Sequence, residues 1–261
     1  MEVAVREKKM VKNPPQKPTL AGRLGFAWFA LMAVLITIPL CICQIIAHQF
    51  NPTAKNFKRW SGLWGRVLLG VLGIRVHLMQ RERLDPNAPY VFVSNHQNLL
   101  DILVLAGWLP YPFGFVAKVE LRQVPFLGLA IRNSASVFVD RSDPRKSLES
   151  LQKAGEKIRR GNSVLIYAEG TRSHGQKLLP FKKGAFALAL EAGVPIVPVT
   201  IVDSYRLMDE RTKVMRPGTI QVVVGTPLDT NGLRRRDIPE VMEEIRTRIA
   251  AELPHQEIGA A

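Results

Sequence analysis

The chain begins polar and then turns apolar within a few residues. Residues 1–23 are basic and proline-containing, with Lys8, Lys9, Lys12, Pro14, Pro15, Lys17 and Arg23. Such a stretch buries too little to order itself, and it predicts a disordered arm. Phe26–Ala47 then carries no charge over 22 residues. As a helix it would be roughly 33 Å long, enough to cross a hydrocarbon core. It is too long for a signal-peptide core, and no clear small-residue cleavage site follows. Pro39 is expected to kink it. Asn51-Pro52 reads as the N-cap and first residue of a second helix. There Trp60, Leu63, Trp64, Val67, Leu68, Val71 and Leu72 recur at steps of three and four. Lys55, Lys58, Arg59 and Arg66 lie largely elsewhere around the axis. This is the pattern of an interfacial helix, with tryptophans at headgroup depth and basic groups toward phosphates. An amphipathic helix packed on a domain would give the same spacing. Residues 24–73 thus predict a two-helix membrane anchor. Both flanks of the first segment are basic, so charge does not orient it. A spanning helix puts arm and domain on opposite sides of a bilayer, whereas a one-leaflet hairpin keeps both on one side and suits two basic flanks.

From Ile74 the period shortens. Ile74, Val76 and Leu78 alternate with Arg75, His77 and Met79, a strand with one wet face. Further strands are predicted at Tyr90–Val93, Phe113–Ala117, Ser136–Val139, Ser163–Tyr167, Ile196–Ile201 and Ile220–Gly225. Helices are predicted at Leu99–Trp108, Pro125–Arg132, Pro144–Arg160, Phe181–Ala192 and Pro239–Ala251. Asp143 and Gly161 supply start and stop signals for the third of these. The alternation implies an α/β sandwich around a largely parallel or mixed sheet over residues 74–261. Ligand sites in such sheets lie on loops at the strands' carboxyl ends.

Two such loops carry chemistry. Tyr90–Val93 is followed by Ser94-Asn95-His96-Gln97-Asn98-Leu99-Leu100-Asp101. On one continuous helix, His96 and Asp101 would point about 140° apart. They meet only if His96 is on the loop and Asp101 in the first helical turn. Asn98 as N-cap would put Asp101 at the third helical position, close to a capping box. An imidazole with a carboxylate on one nitrogen is a fixed-tautomer base for a substrate hydroxyl. The second loop, Glu169-Gly170-Thr171-Arg172, follows the apolar run Ser163–Tyr167. Arg172 is suited to grip a phosphate through paired hydrogen bonds. Gly170 permits close backbone approach, Thr171 adds a hydroxyl, and Glu169 would hold Arg172 or a glycerol hydroxyl.

Composition narrows the partner. The 261 residues hold 36 Lys and Arg against 22 Asp and Glu, a formal charge of +14. That excess favours a phospholipid surface, a phosphorylated substrate or nucleic acid. Nucleic-acid binding would interleave basic residues with exposed aromatics, and here the aromatics mostly fall in apolar runs. Cys41 and Cys43 are two apart in the apolar segment and read as inert. There is no glycine-rich nucleotide loop and no metal-ligand cluster, so no metal and no bound cofactor is expected.

Asn95-His96 with Asp101 resembles the NHxxxxD motif of the glycerolipid acyltransferases. Glu169–Arg172 resembles the EGTR signature of the 1-acylglycerol-3-phosphate (lysophosphatidic acid) acyltransferases. The likeness runs from about Val76 to Gly225. It extends to Lys118 at a strand end, to Phe181-Lys182-Lys183-Gly184, and to Val194–Val199. One departure is that the family usually has Phe-Pro before the Glu, where this chain has Tyr167-Ala168. The resemblance implies transfer of a fatty acyl group from a thioester, acyl-CoA or acyl carrier protein, to the sn-2 hydroxyl of lysophosphatidic acid. His96 and Asp101 would be catalytic, and Glu169, Gly170, Thr171 and Arg172 would bind the substrate phosphate. Lys118 or a backbone N–H would serve the oxyanion, with Lys118 and Lys182 also available to a phosphate. Expected partners are a membrane phospholipid surface, lysophosphatidic acid and the thioester donor. The expected place is the cell inner membrane, with the catalytic domain on the cytoplasmic side. Other acceptors fit the same dyad: glycerol-3-phosphate, another lysophospholipid or a lyso-ornithine lipid. A non-catalytic, membrane-tethered protein binding anionic lipid is the alternative from another class.

Overall fold

The structure, a computed structural model, describes residues 19–140, 144–175 and 177–254. Most of the expected basic arm, and the cap expected at Asp143, lie outside them. The first helix, α1 (Leu20–Phe50), starts earlier than the uncharged run because Thr19 caps it, its hydroxyl accepting from Gly22 N at 3.1 Å. Leu20–Arg23 are therefore the first helical turn rather than part of an arm. The helix runs on through Pro39. The second helix, α2 (Ala54–Val71), is capped by Thr53, not Asn51. Thr53 Oγ1 accepts from Asn56 N, while the Asn56 amide ties Ala47 O and Asn51 O across the turn. Asn51 instead closes α1. The two helices run antiparallel: Trp64 Nε1 donates to Thr37 Oγ1 at 2.9 Å, and Trp28 Nε1 reaches Val71 O.

The hairpin is not a detached anchor. At the start of α1, a Cβ on Gly25 would lie 2.6 Å from Met215 O, so only glycine lets the helix sit this close. Phe26, Phe29, Met32, Ala33 and Ile36 pack on the core of the α/β domain. The far side of α1 leaves Leu31, Val34, Leu35, Ile38, Ile42 and Ile46 exposed. By length and composition it is the one described helix able to cross a membrane, with mean hydropathy 2.5 and only 17% of its most apolar window buried. The stripe expected on α2 is split. Leu68 and Leu72 are buried in the core, while Leu63, Val67 and Val71 face outward.

The rest of the chain alternates β1 (Ile74–Gln80), β2 (Val91–Ser94), α3 (Leu100–Trp108), β3 (Phe113–Lys118), α4 (Leu127–Arg132), β4 (Val137–Val139), α5 (Pro144–Arg159), β5 (Ser163–Tyr167), α6 (Gly184–Ala192) and β6 (Ile196–Val202). A short α7 (Ser204–Leu207) leads into a small ribbon, β7 (Met208–Asp209) and β8 (Val214–Met215), followed by β9 (Gly218–Val224) and α8 (Ile238–Ala251). Among the described residues, seven strands form one sheet in the order β1-β9-β6-β2-β5-β3-β4. The sheet is mixed: β6 and β9 pair antiparallel and every other neighbouring pair is parallel. The small ribbon was not foreseen, its strands being only two residues each.

Strand alternation sorts the core into two layers. Phe92, Leu165, Val197, Val199 and Ile201 face α3 and the hairpin; Val91, Val93, Val164, Ile166 and Ile196 face α5, α6 and α8. Because β2, β5, β3 and β6 run the same way, their carboxyl ends share one edge of the sheet, and the loops after them meet there.

The helix α2 is held to α3 at close range. A Cβ on Gly65 would lie 2.8 Å from Gly107 N and nearer still to Leu103 O. Lys58 and Arg66, expected to face phosphates, instead bond the carbonyls of Ala106 and Gly107 in the last turn of α3. Those carbonyls have no intrahelical partner and carry the negative end of the helix dipole, so cations settle there. A Gly65→Ala variant should lose about 2–3 kcal/mol of stability, because the added methyl meets backbone. Gly70→Ala should change stability by less than about 1 kcal/mol, toward gain, since Gly70 has open space around it. Denaturation of both variants checks this, and equal effects would refute the close contact.

Candidate active site

The loop after β2 is fastened before it presents its imidazole. Asn95 pairs with the backbone of Ile201 in β6 in both directions, Nδ2 to Ile201 O at 2.9 Å and Ile201 N to Oδ1 at 2.8 Å. Next comes His96, whose side chain is 12% exposed. Then Asn98 turns the chain into α3. Its Oδ1 accepts from Leu100 N, and Asp101 reaches back to Asn98 N at 3.0 Å. The cap of α3 is Leu99, not the expected Asn98, and no reciprocal capping box forms, because Asn98 Oδ1 takes Leu100 N rather than Asp101 N. Asn98 Nδ2 also ties Ser204 O and Met208 O.

Asp101 is fully buried. Its Oδ2 lies 2.8 Å from His96 Nδ1 and accepts from Gln97 N and Asn98 N; its Oδ1 accepts from the Ser204 hydroxyl at 2.5 Å. A carboxylate against Nδ1 makes that nitrogen the donor and leaves Nε2 as the basic one. The ring of Tyr167 lies flat on the imidazole, with centroids 3.9 Å apart and planes at 13°.

The turn after β5 is laced to the same loop. Ala168 N bonds Ser94 O, Ser173 N bonds His96 O at 2.8 Å, and His174 N bonds Gln97 O at 3.0 Å. The two sequence signatures are thus adjacent walls of one site. Gly170 has φ +70°, which favours glycine, and the flexible end of Lys182 lies where its Cβ would stand. Thr171 is exposed. Lys182 sits in the segment before α6, which starts at Gly184 rather than at Phe181.

Two side chains depart from expectation. Glu169 is buried, and its hydrogen bonds go to backbone N–H groups rather than to Arg172. It accepts from His96 N at 2.7 Å and from Leu179 N at 2.9 Å, so it braces the His96 loop. Arg172 is held instead by Glu210, which also accepts from Leu99 N at the head of α3. Lys118 stands at the correct sheet edge, two strands from β2, but its ammonium pairs with Glu120 at 2.8 Å on the surface. Sequence reasoning missed Ser204 and Glu210. Ser204 follows Asp203 directly after the apolar run of β6, the same strand-end signal that marked His96 and Glu169. Glu210 lies in an ordinary charged run and had no signal.

The family model described as Acyltransferase matches residues 75–202. A 1-acyl-sn-glycerol-3-phosphate acyltransferase of Saccharomyces cerevisiae is 35% identical over 252 residues, covering 90% of this chain and 80% of the relative. One from Chlamydomonas reinhardtii is 30% identical, covering 95% of this chain and 75% of the relative. The chain belongs to the 1-acyl-sn-glycerol-3-phosphate acyltransferase family. The mouse member called alpha is 33% identical over 84% of this chain and 75% of its own. The fold of the crystallised 1-acyl-sn-glycerophosphate acyltransferase PlsC from Thermotoga maritima superposes with a TM-score of 0.74 at 24% identity, over 88% of this chain and 96% of that one.

In this family member Glu169 is electrostatically costly. Burial pushes its carboxyl from 4.5 up to about 7, against the pull of the His96 and Leu179 N–H groups. Between those values the folded protein holds a proton that the unfolded chain has released. Stability contributed here is therefore greatest below pH 4.5 and declines as pH rises toward 7. The decline should amount to about 1–3 kcal/mol. Glu169→Gln should be less stable overall, since one N–H loses its acceptor, and should lack that part of the pH slope. Denaturant titrations between pH 4.5 and 7 measure it; an unchanged slope would assign the proton to another group.

Proposed function

We propose that this chain transfers a fatty acyl group from acyl-CoA or acyl carrier protein to the sn-2 hydroxyl of lysophosphatidic acid, giving phosphatidic acid, with His96 as general base. The observation that carries this reading is the His96–Asp101 pair locked by backbone hydrogen bonds to the Glu169–Arg172 turn at one sheet edge. Membership of the 1-acyl-sn-glycerol-3-phosphate acyltransferase family supplies the acceptor.

In the proposed step, His96 Nε2 takes the proton of the acceptor hydroxyl as its oxygen attacks the thioester carbonyl carbon. Asp101 fixes the tautomer and stabilises the imidazolium that forms. The tetrahedral intermediate collapses with loss of the thiolate, which takes the proton back from His96. The carboxylate is already held by two backbone N–H groups and a hydroxyl, so little reorganises when His96 becomes charged. The step needs no metal and no bound cofactor.

Arg172 is the proposed phosphate ligand. Glu210 engages part of its fork, and a guanidinium has five N–H donors to share. Thr171 adds a hydroxyl at the same turn, and Lys182 over Gly170 adds positive charge. Glu169 acts one step removed, by holding the His96 backbone.

The protein associates with membranes, and its exposed α1 face suits a lipid environment. The start of α1 touches β8 and the end of α2 leads into β1, so both ends of the hairpin lie at the domain. This supports a hairpin in one leaflet over a helix whose start emerges on the far side. We place the catalytic domain on the cytoplasmic side of the cell inner membrane, where both thioester donors are found.

His96→Ala should reduce thiol release from acyl-CoA with lysophosphatidic acid by about 10³-fold or more in protein that still folds, with a lower melting temperature because Asp101 loses one donor. Near-normal turnover would refute the base assignment. Arg172→Ala should raise KM for the phosphorylated acceptor about tenfold with a smaller change in kcat. An unchanged KM would move the phosphate elsewhere.

A further inference from the structure

Between β3 and α4 the chain makes a tight turn that stands out from the domain. Arg122, Gln123, Val124, Pro125 and Phe126 are exposed in succession. Gly128 folds the turn back on itself. Its N–H donates to Val124 O at 2.8 Å, and a Cβ there would lie 2.4 Å from Arg122 O. Three bulky apolar side chains crown the tip, Val124 at 40% exposure and Phe126 and Leu129 each at 43%. Phe126 also holds a φ of +58°, a conformation that a bulky side chain rarely adopts. A polar residue or a glycine would suit so wet and so bent a position better. Single apolar residues scattered on a surface are ordinary, but a bulky cluster on a strained, tightly folded tip calls for an apolar surrounding.

The tip is placed to meet lipid. It follows Lys118 at the end of β3, and β3, β5 and β2 run parallel, so it stands at the same sheet edge as the His96 loop. The helix α4 packs beside α1, whose outward face exposes Leu31, Val34, Leu35 and Ile38. The tip therefore borders an apolar surface already suited to a bilayer. Arg122 and Arg132 are exposed at either end of the segment, and the chain carries +14 overall. Apolar side chains flanked by cations fit an anionic phospholipid leaflet, where hydrocarbon takes the first and headgroup phosphates the second. A second copy of this chain would bring more positive charge to the same place. We propose that residues 122–132 form a second membrane contact, separate from the N-terminal helices: Val124, Phe126 and Leu129 enter the headgroup–acyl boundary of one leaflet, with Arg122 and Arg132 at the phosphates.

Such a contact acts on orientation. The N-terminal helices attach the protein to a bilayer, but a single line of attachment leaves the domain free to rock about it. A second contact at the sheet edge stops that rocking and turns the His96 edge toward the surface from which a lipid acceptor comes. A tip of three apolar side chains sinks only a short way, about 5–10 Å. It takes no part in acyl transfer itself. It changes how often an acceptor embedded in a bilayer reaches the site, and not what happens there.

Single-cysteine chains test it. In a Cys41→Ala, Cys43→Ala background, Phe126→Cys, Leu35→Cys and Glu243→Cys each carry an environment-sensitive nitrobenzoxadiazole dye. Leu35 is on the outward face of α1, and Glu243 is exposed on α8. The full chains are reconstituted in phosphatidylethanolamine–phosphatidylglycerol vesicles whose acyl chains bear nitroxides. The dye at 126 should be quenched at least about twofold more than the dye at 243, and more by a nitroxide near the headgroup than by one deep in the chain. Quenching at 126 no greater than at 243 overturns the proposal. The dye at 35 reads α1 on its own, so that failure leaves the N-terminal contact standing. In a second arm, Phe126→Ser with Leu129→Ser should lower turnover of long-chain lysophosphatidic acid in vesicles by about fivefold or more, with turnover in detergent micelles within about twofold of wild type. Unchanged turnover in vesicles overturns the proposal. Equal loss in both media also overturns it, because the side chains then serve the fold or the reacting site. Wild-type turnover in micelles tests the acyltransferase reading separately.

Discussion

A carboxylate with no exposure to solvent is the constraint around which the site is arranged. Asp101 is tolerable in the interior only because His96, Gln97, Asn98 and Ser204 all turn donors toward it. Removing a buried charge from water costs several kcal/mol unless hydrogen bonds replace the lost hydration. Three of the donors come from the loop after β2. The fourth comes from a residue 103 positions away, after β6. Satisfying one aspartate therefore fixes the loop, the head of α3 and the start of α7 relative to each other. The imidazole takes its orientation from the same geometry.

Sheet order does the remaining placement. The strand β2 lies between β5 and β6, so the loops that follow all three strands emerge side by side. From one side Asn95 clips the His96 loop to β6; from the other, Glu169 and the Ser173 and His174 amides clip it to the turn after β5. The His96 loop is held from both flanks. A site so fixed has little freedom to lose when its charges change, which is what electrostatic preorganisation requires.

The N-terminal helix pair is joined to this site through α3. The glycines at 65 and 107 bring α2 and α3 into near backbone contact, and Lys58 and Arg66 hold the last turn of α3. The carboxylate of Asp101 sits in the first turn of that same short helix. The N-terminal helix pair and the His96 loop thus meet opposite ends of one short helix. The boundary drawn between anchor and domain at residue 73 follows composition. Packing ignores it, since α1 contributes Phe26, Phe29 and Met32 to the domain's core.

Local pattern was enough for the elements that bury a continuous apolar face. All seven strands of the main sheet fall where β-branched and aromatic runs put them, and the uncharged segment is one helix. The His96–Asp101 meeting was also legible, because a loop histidine and a first-turn aspartate five residues on are near neighbours, although the cap expected at Asn98 is Leu99. What sequence order did not contain is partnership across the sheet. That Glu169 serves the His96 backbone, that Arg172 answers to Glu210, and that Ser204 completes Asp101 all depend on which strands lie next to one another. Lys58 and Arg66 were misread for the same reason. Their spacing on α2 is that of a wet face, and only the arrival of α3 turns that face toward helix carbonyls. Propensity and capping are settled within a few residues of chain, whereas burial and charge pairing are settled only when distant segments meet.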